Sequence, residues 1–226
     1  SEKMKSERFR TELITNVSHD IKTPLTSIIN YVDLLQKEDI DNEKVREYLD
    51  VLDRQSSRLK KLIQDLLEAS KASTGSINVE LEELDAAVML SQVAGEYKEK
   101  FEKNNLDLII KNDVTPVMIQ ADGRHLWRVF DNLMNNINKY AQPGTRVYID
   151  IIPKEGGAII TFKNVSATPL NISSDELKER FVRGDSSRNT EGSGLGLSIA
   201  ESLMKLMKGT LELTVDGDLF KVTLEF

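Results

Sequence analysis

The chain has 226 residues, 39% of them hydrophobic and 30% charged, which is enough for two compact domains with apolar cores. It contains no cysteine, and this excludes disulfide bonds and thiolate metal sites. The net charge of -7 disfavours nucleic acid as the main partner, and no apolar run approaches the roughly 20 residues that span a membrane.

The first predicted element is a long amphipathic helix. His19 lies roughly opposite its apolar seam, with Asp20 beside it and Thr23 one turn further on. An exposed histidine with a neighbouring acid and hydroxyl predicts a phosphorylation site, and a plain surface cluster is the alternative. Pro24 removes a helical hydrogen bond, so we expect it to loosen the helix beside His19. The seam consists of Phe9, Leu13, Val17, Ile21, Leu25, Ile28, Val32 and Leu35.

A second helix follows a loop at residues 37–42, which offers an Asp or Asn cap, and it extends to about Ser70. The two helices form an antiparallel hairpin that buries little by itself. We therefore expect it to pair with a second copy as a four-helix bundle, making a homodimer through residues 1–72. Packing of the stripe on the C-terminal domain is the alternative.

Residues 73–76 form a predicted linker to a second domain, which spans 77–226. Its sequence predicts an α/β layer domain, and two antiparallel hairpins argue against a doubly wound parallel sheet. The predicted strands are 77–81, 106–111, 117–120, 147–152, 158–165, 210–215 and 219–226, and the predicted helices are 85–103, 123–140 and 195–207.

Two segments of this domain carry residues suited to binding a nucleotide. Asn132, Asn136 and Lys139 share one strip of a helix with Tyr140 at its edge, beside an apolar face of Val129, Leu133 and Ile137. Amide oxygens suit Mg²⁺, a lysine suits phosphate and a tyrosine suits a base, although the strip could also be a solvated surface. Gly192, Gly194 and Gly196 lead into a helix, where backbone N–H groups can approach phosphate.

These motifs, in this order, resemble the catalytic core of bacterial two-component sensor histidine kinases over essentially the whole chain. The matching segments are an H-box at 18–24, an N-box at 132–140, a phenylalanine box at 177–188 and a glycine box at 192–196. The resemblance implies a multidomain α and α+β protein. Its dimeric hairpin for histidine phosphotransfer would be followed by an ATP-binding domain of the gyrase-like (Bergerat) α/β sandwich fold.

The resemblance also implies roles for individual residues. His19 matches the phosphorylated histidine, Asp20 its acid/base neighbour, and Thr23 the residue that orients water for dephosphorylating the partner. Asn136 matches the Mg²⁺ ligand. The other matches concern ATP: Asn132 and Lys139 for its phosphates and metal, Tyr140 for the adenine side, Arg183 in the lid, and Gly192, Gly194, Leu195 and Gly196 in the phosphate loop.

One segment departs from the family pattern. Residues 164–168 stand where the family has Asp-x-Gly-x-Gly, whose aspartate binds the adenine amino group. Asn164 keeps an acceptor oxygen but not the charge, so we expect weaker ATP binding. We interpret Ser166 and Thr168 as a strand end, and His125 as structural because no acid stands immediately beside it.

The resemblance implies that His19 is autophosphorylated from Mg-ATP and that the phosphoryl group passes to an aspartate of a response-regulator receiver domain. Thr23 adds phosphatase activity toward that regulator. A gyrase-like ATPase and a non-catalytic dimeric scaffold are the rival interpretations. The chain starts abruptly inside a helical pattern, so we expect it to be a fragment of a longer protein. The resemblance implies that this fragment is the cytoplasmic portion of a membrane-anchored parent.

Overall fold

The computed structural model describes residues 2–112, 116–170 and 195–226, and the side chains of 2–13, 15–17, 19 and 73 lie outside this description. Within the described ranges, five helices and seven strands form two compact units, one of which ends at Ser76 while the other begins at Ile77. None of the described helices is both long enough and apolar enough to cross a membrane.

The helical unit is the predicted hairpin. Helix α1 (Glu2–Lys37) continues unbroken through Pro24, so the proline does not end the helix, and its loosening effect stays a prediction. Helix α2 (Glu43–Ser73) begins after Asn42, whose side-chain oxygen accepts a hydrogen bond from the Val45 N–H at 3.3 Å. The expected cap in the connecting loop is thereby confirmed as Asn42.

The apolar stripe of α1 divides into two rows, which corrects the single buried seam predicted from the sequence. Leu25 and Val32 are each 4% exposed because they pack against α2. Ile21, Ile28 and Leu35 are 41%, 49% and 47% exposed in the single chain. Each row has a spacing of seven residues, which is the repeat of a helical bundle seam.

Helix α2 carries the same two rows. Leu49 and Ile63 are buried against α1, whereas Leu52, Leu59 and Leu66 are 49%, 45% and 41% exposed. The second row again repeats every seven residues. One apolar row on each helix is therefore used inside the hairpin, and the other remains uncovered in the single chain.

The second unit contains a five-stranded mixed sheet with the order β2-β4-β5-β7-β6 and a separate antiparallel pair, β1-β3. Strands β2 and β4 are parallel, and the other neighbours in the large sheet are antiparallel. Both predicted hairpins are therefore confirmed. In chain order the elements are β1 (Glu82–Asp85), α3 (Ala86–Lys103), β2 (Asp107–Asn112), β3 (Met118–Ala121), α4 (Gly123–Tyr140), β4 (Arg146–Lys154), β5 (Gly157–Val165), α5 (Gly196–Leu206), β6 (Thr210–Asp216) and β7 (Leu219–Glu225).

The predicted strand at 77–81 is wrong, because the first strand begins at Glu82. The backbone of this segment is held by side chains rather than by a neighbouring strand: the N–H of Glu80 donates to the Asp122 carboxylate at 3.0 Å. An extended segment with side-chain partners has the residue pattern of a strand without being one.

Helices α3, α4 and α5 pack against one another and against the sheet, giving the expected α/β layers. The rings of Phe130 on α4 and Phe162 on β5 lie 5.9 Å apart and join the two layers. The largest fully buried side chains of this core are Leu90, Phe101, Leu126, Phe130, Leu133, Met134, Ile149, Ile160, Phe162, Ile199 and Leu203. Helix α4 contributes four of them, more than any other element, so its position and rotation are set by the core.

Candidate functional site

The polar strip predicted on α4 follows from how this helix is buried. Val129, Leu133 and Ile137 are at most 2% exposed, as the apolar face of the predicted helix requires. With that face fixed, Asn132 is 8% exposed, and Asn136 is half-buried. Further along the strip, Lys139 is exposed and Tyr140 is half-buried. The strip therefore runs from a buried amide to a partly open end of the helix.

Other polar residues of α4 anchor the helix to α3, a role that the sequence did not reveal. The hydroxyl of Tyr97 donates to the Asp131 carboxylate at 2.6 Å, and the side-chain amide of Asn104 donates to the Asn138 side-chain oxygen at 2.9 Å. Burial, followed by the hydrogen bond to Asp131, raises the pKa of Tyr97 above its ordinary value, so the tyrosine stays a neutral donor. Part of the amide richness of α4 is therefore structural.

The start of α5 lies against Asn132. Gly196 is the first residue of α5, and a methyl group in place of its hydrogen would lie 3.5 Å from the Asn132 side-chain oxygen. Leu195, just before the helix, is half-buried. The side-chain nitrogen of Asn132 is buried, and no residue in the described ranges accepts a hydrogen bond from it. A buried donor therefore stands beside a helix N-terminus, where N–H groups favour anions.

The C-terminal end of α4 meets the end of β5. Asn164 is 4% exposed, and its amide nitrogen donates to the carbonyl of Val165 at 3.3 Å. Its side-chain oxygen is buried and has no hydrogen-bond donor among the described residues. The Ala167 N–H donates to the Tyr140 carbonyl at 2.8 Å, which ties the segment after Asn164 to the last residue of α4.

Ser166 and Thr168 form a local turn. The hydroxyl of Ser166 donates to the Thr168 carbonyl at 2.7 Å, and the Ser166 N–H donates to the Asp218 carbonyl at 2.7 Å, in the turn between β6 and β7. These bonds agree with the interpretation of both residues as part of a strand end. Hydroxyl-mediated bonds thus shape the backbone where the family pattern has glycines.

The start of α4 is built around Asp122. One carboxylate oxygen caps the helix by accepting the N–H groups of Arg124 at 3.0 Å and His125 at 3.3 Å, and the other accepts the Glu80 N–H at 3.0 Å. Burial alone would raise the pKa of this carboxyl, but the hydrogen bonds from Glu80, His125 and Arg124 outweigh it and hold the pKa below its usual value.

His125 has an acid nearby after all. Its Nε2 lies 3.8 Å from an Asp122 oxygen, one helical turn back, and 3.1 Å from the Asn78 carbonyl. The sequence interpretation considered only adjacent residues, although a spacing of three on a helix brings side chains together. The structural role expected for His125 agrees with these contacts.

The remaining candidates divide between the helical unit and the undescribed ranges. His19, Asp20 and Thr23 lie on α1, where Asp20 and Thr23 are exposed. The His19 side chain, Arg183, Gly192 and Gly194 lie outside the described residues, as does the segment 177–188. Asn132 and Gly196 come together near the middle of α4, and Tyr140 and the segment after Asn164 come together at its C-terminal end.

Two known protein families match this chain. Residues 9–75 match the His Kinase A (phospho-acceptor) domain, and residues 121–226 match the family of histidine kinase-, DNA gyrase B- and HSP90-like ATPases. Together these matches cover most of the chain in the order expected from its motifs. The chain belongs to the sensor histidine kinases.

Relatives of this sensor kinase core include two bacterial sensor proteins whose sequence identities to this chain are nearly equal. Sensor protein VanSC of Enterococcus gallinarum is 31% identical over 91% of this chain and 57% of the relative. Sensor protein GtcS of Aneurinibacillus migulanus is 30% identical over 92% of this chain and 56% of the relative. The chain therefore spans a little more than half the length of these relatives.

Solved histidine kinases share the fold of this core. Full-length ShkA, determined in complex with AMPPNP, matches 95% of this chain and 45% of its own, with a TM-score of 0.80 and 22% identity. The Acinetobacter baumannii histidine kinase AdeS matches 92% of this chain and 96% of its own, with a TM-score of 0.63 and 18% identity.

The lowered pKa of Asp122 predicts an acid-dependent contribution to the stability of the kinase core. The folded state favours the carboxylate, so its stabilisation is complete above the ordinary pKa of 3.8 and is lost as pH falls through the lower folded value. Asp122→Asn should reduce the free energy of unfolding by about 1 to 3 kcal/mol at pH 6 and by less at pH 3. Urea unfolding at both pH values measures this difference, and a difference independent of pH would contradict the assignment.

Proposed function

We propose that this chain is the catalytic core of a sensor histidine kinase that transfers the γ-phosphoryl group of ATP to His19 and then to an aspartate of a response regulator. One observation carries the proposal. The second unit, which begins at Ile77 and is called the nucleotide unit from here on, holds two buried polar atoms without partners among its described residues. They are the side-chain nitrogen of Asn132, a donor, and the side-chain oxygen of Asn164, an acceptor. Buried polar atoms without partners are costly, and a ligand can satisfy both.

The two unpaired atoms are complementary to the polar groups of an adenine nucleotide. A donor beside the α5 N-terminus suits phosphate oxygens, and an acceptor beside the end of α4 suits the adenine amino group. Along α4, the eight steps from Asn132 to Tyr140 span about 12 Å at 1.5 Å per residue. This length is comparable with the reach of an extended nucleotide from base to phosphates. Lys139 and Tyr140 would contact the phosphates and the base.

The donor set also fits Mg²⁺ arriving with the nucleotide. Asn136 is half-buried on the strip of Asn132 and offers an amide oxygen, a ligand type that Mg²⁺ accepts together with waters and phosphates. Across the described ranges, no three His, Cys, Asp or Glu residues are grouped to hold a metal by themselves. When bound, Mg²⁺ would neutralise charge on the transferring phosphates. Asn136 is the residue that would hold it.

On the hairpin, His19 is the acceptor. In our hypothesis Asp20 accepts the hydrogen bond of the His19 Nδ1–H, which leaves the Nε2 lone pair to attack the γ-phosphorus. The new N–P bond forms as the bond to the bridging oxygen breaks, and ADP leaves. Arg183 would approach the transferring phosphate from the lid. Pro24, beside the acceptor, would give this part of α1 the mobility that in-line attack needs.

The second partner is a receiver domain that docks on the hairpin and takes the phosphoryl group on an aspartate. Thr23 is exposed on α1, one turn after His19. A hydroxyl at this position can orient water toward a phosphorylated regulator, so the core would also act as a phosphatase. Nucleic acid is not part of the proposal.

The uncovered rows of the hairpin support a homodimer through residues 1–72. Ile21, Ile28 and Leu35 on α1 continue the seven-residue repeat on the open side, as Leu52 and Leu59 do on α2. A second hairpin would cover both rows and complete a four-helix bundle. Residues 73–76 would link this bundle to the ATP-binding domain at 77–226. We further infer that the core is the cytoplasmic portion of a longer, membrane-anchored sensor.

Labelled ATP tests the phosphotransfer. Incubation with γ-labelled ATP should label the wild type in an acid-labile, base-stable form, while His19→Ala should bind ATP but carry no label. Asp20→Asn should slow labelling by about tenfold or more, because the imidazole loses its orienting carboxylate, with little change in ATP affinity. Label on His19→Ala would contradict the assignment. ATP hydrolysis without label would favour a gyrase-like ATPase, and absence of ATP binding would favour a scaffold.

Calorimetric titration with Mg-ATP tests the adenine contact. Asn164→Leu removes the acceptor and should weaken binding by about fivefold to a hundredfold. Asn164→Asp restores a charged acceptor and should bind more tightly than the wild type, because charge-assisted hydrogen bonds are stronger. Melting temperatures without nucleotide serve as the control for folding. Equal affinity in all three proteins would remove Asn164 from the site.

Light scattering after gel filtration tests the dimer. Leu59→Glu places a charge in the uncovered row and should convert the dimer to a monomer while the hairpin stays helical, because Leu49 and Ile63 remain buried. Lys60→Glu, at the next and exposed position, is the matched control and should remain dimeric. A dimeric Leu59→Glu protein would contradict the proposed interface.

A further inference from the structure

The segment between α2 and β1 is hydrogen-bonded almost throughout its length. After α2 ends at Ser73, the N–H groups of Gly75 and Ser76 donate back to the carbonyls of Ala72 at 3.2 Å and Lys71 at 3.0 Å. The next held residues are Asn78, through its carbonyl, and Glu80, through its N–H. Of the described contacts, these leave Ile77 as the single residue between the bonds of the helical unit and those of the nucleotide unit.

Asp122 serves α4 and this segment with different oxygens. Its Oδ1 caps α4, while its Oδ2 accepts the Glu80 N–H at 3.0 Å. The side chain is only 3% exposed, so the ionised carboxylate is shielded from competing water. Bonds to a carboxylate are stronger than bonds between neutral groups. Replacing Oδ2 alone should therefore remove the attachment of Glu80 and leave the helix cap in place.

His125 provides the second attachment. The Asn78 carbonyl can only accept, so the proton of the 3.1 Å hydrogen bond must reside on Nε2. The ring is 18% exposed and lies one turn after Asp122, so both side chains project from the first turn of α4. We call the pair Asp122 and His125, with the backbone of 78–80 that they hold, the connector clamp.

We propose that the connector clamp sets the length of the tether between the phosphoacceptor hairpin and the nucleotide domain, which makes Asp122 and His125 positioning residues for transfer to His19. The proposal rests on the proposed function. With the clamp closed, the free tether is Ile77. With it open, the first held residue is Glu82 of β1, so residues 77–81 become free. Opening the clamp thus adds the four residues 78–81, which is roughly 14 Å of reach at 3.3–3.6 Å each.

A short tether raises the effective concentration of bound ATP near the acceptor, and a longer one lowers it. Opening the clamp should therefore slow autophosphorylation at saturating ATP without weakening ATP binding, because Asn132, Asn136 and Asn164 are not part of the clamp. This separation distinguishes a tether effect from damage to the nucleotide site. A merely structural role would lower both quantities together.

The experiment compares Asp122→Asn, His125→Leu, the double variant that combines them, and Arg124→Gln. Asp122→Asn keeps an oxygen for the cap but replaces the acceptor for the Glu80 N–H with an NH₂ group. His125→Leu removes the donor to Asn78. Arg124→Gln is the matched control: it removes a side-chain contact to Asp122 at 3.4 Å from a side chain that is 72% exposed, and both backbone attachments remain. The readouts are hydrogen exchange of the Glu80 amide, ATP affinity, and the labelling rate at saturating ATP.

We expect faster exchange of the Glu80 amide in Asp122→Asn. In the double variant, where neither attachment remains, ATP affinity should stay within about twofold of wild type and labelling should be roughly three- to tenfold slower. Arg124→Gln should match the wild type. Unchanged or faster labelling in the double variant would overturn the proposal, as would a loss of affinity that accounts for the slower labelling. If the wild type itself takes no label, the proposed function fails as well. If it labels and the variants label equally, only the clamp fails.

Discussion

The nucleotide unit depends on the burial of one face of α4. Phe130 and Met134 on this helix have no exposed surface, and Leu133 has 1%. Because successive residues of a helix are separated by about 100°, burying one face sets the direction of every other side chain. Asn132 is thereby placed against the start of α5, and Asp131 is directed toward α3. The site is thus a consequence of core packing rather than an addition to it.

The same burial explains why two asparagines hold unpaired atoms. An unsatisfied buried polar group costs about 1 to 3 kcal/mol, and an unpaired buried carboxylate costs more. At position 164 a neutral amide keeps the acceptor oxygen, costs less than an unpaired carboxylate when no ligand is bound, and would bind the proposed nucleotide less strongly. These effects have one cause, the absence of the charge. Under the proposed function, the departure from the family pattern would therefore favour the nucleotide-free protein over the nucleotide-bound one.

The start of α4 combines local and long-range interactions in a single carboxylate. Asp122 caps its own helix and holds the backbone of Glu80, 42 residues earlier in the chain. A cap needs one oxygen, so the second is available for a distant partner. This arrangement joins the segment that follows the phosphoacceptor hairpin to the helix on which the nucleotide strip lies. In the proposed reaction, the segment that follows the acceptor hairpin is thus attached to the first turn of the helix that carries the nucleotide strip.

Sequence periodicity predicted the hairpin and most of the strands because the determining contacts are local. It merged the two rows of α1 into one seam, since an apolar period shows which side of a helix is dry but not which partner covers it. It also placed a strand at 77–81, where the extended backbone has side-chain partners instead. Both errors arise where the structure of a segment depends on its contacts with other parts of the protein.

The sequence by itself determined the order and type of the elements, the phosphoacceptor motif around His19 and the amide and glycine segments typical of this family. Only the tertiary structure decided which polar residues anchor the helices and which remain unpaired. Asp131 is bound by Tyr97, 34 residues away, whereas the nitrogen of neighbouring Asn132 has no acceptor in the described ranges. Adjacent residues of similar character differ in this way because helix rotation, set by burial of the core, directs Asp131 toward α3 and Asn132 toward the start of α5.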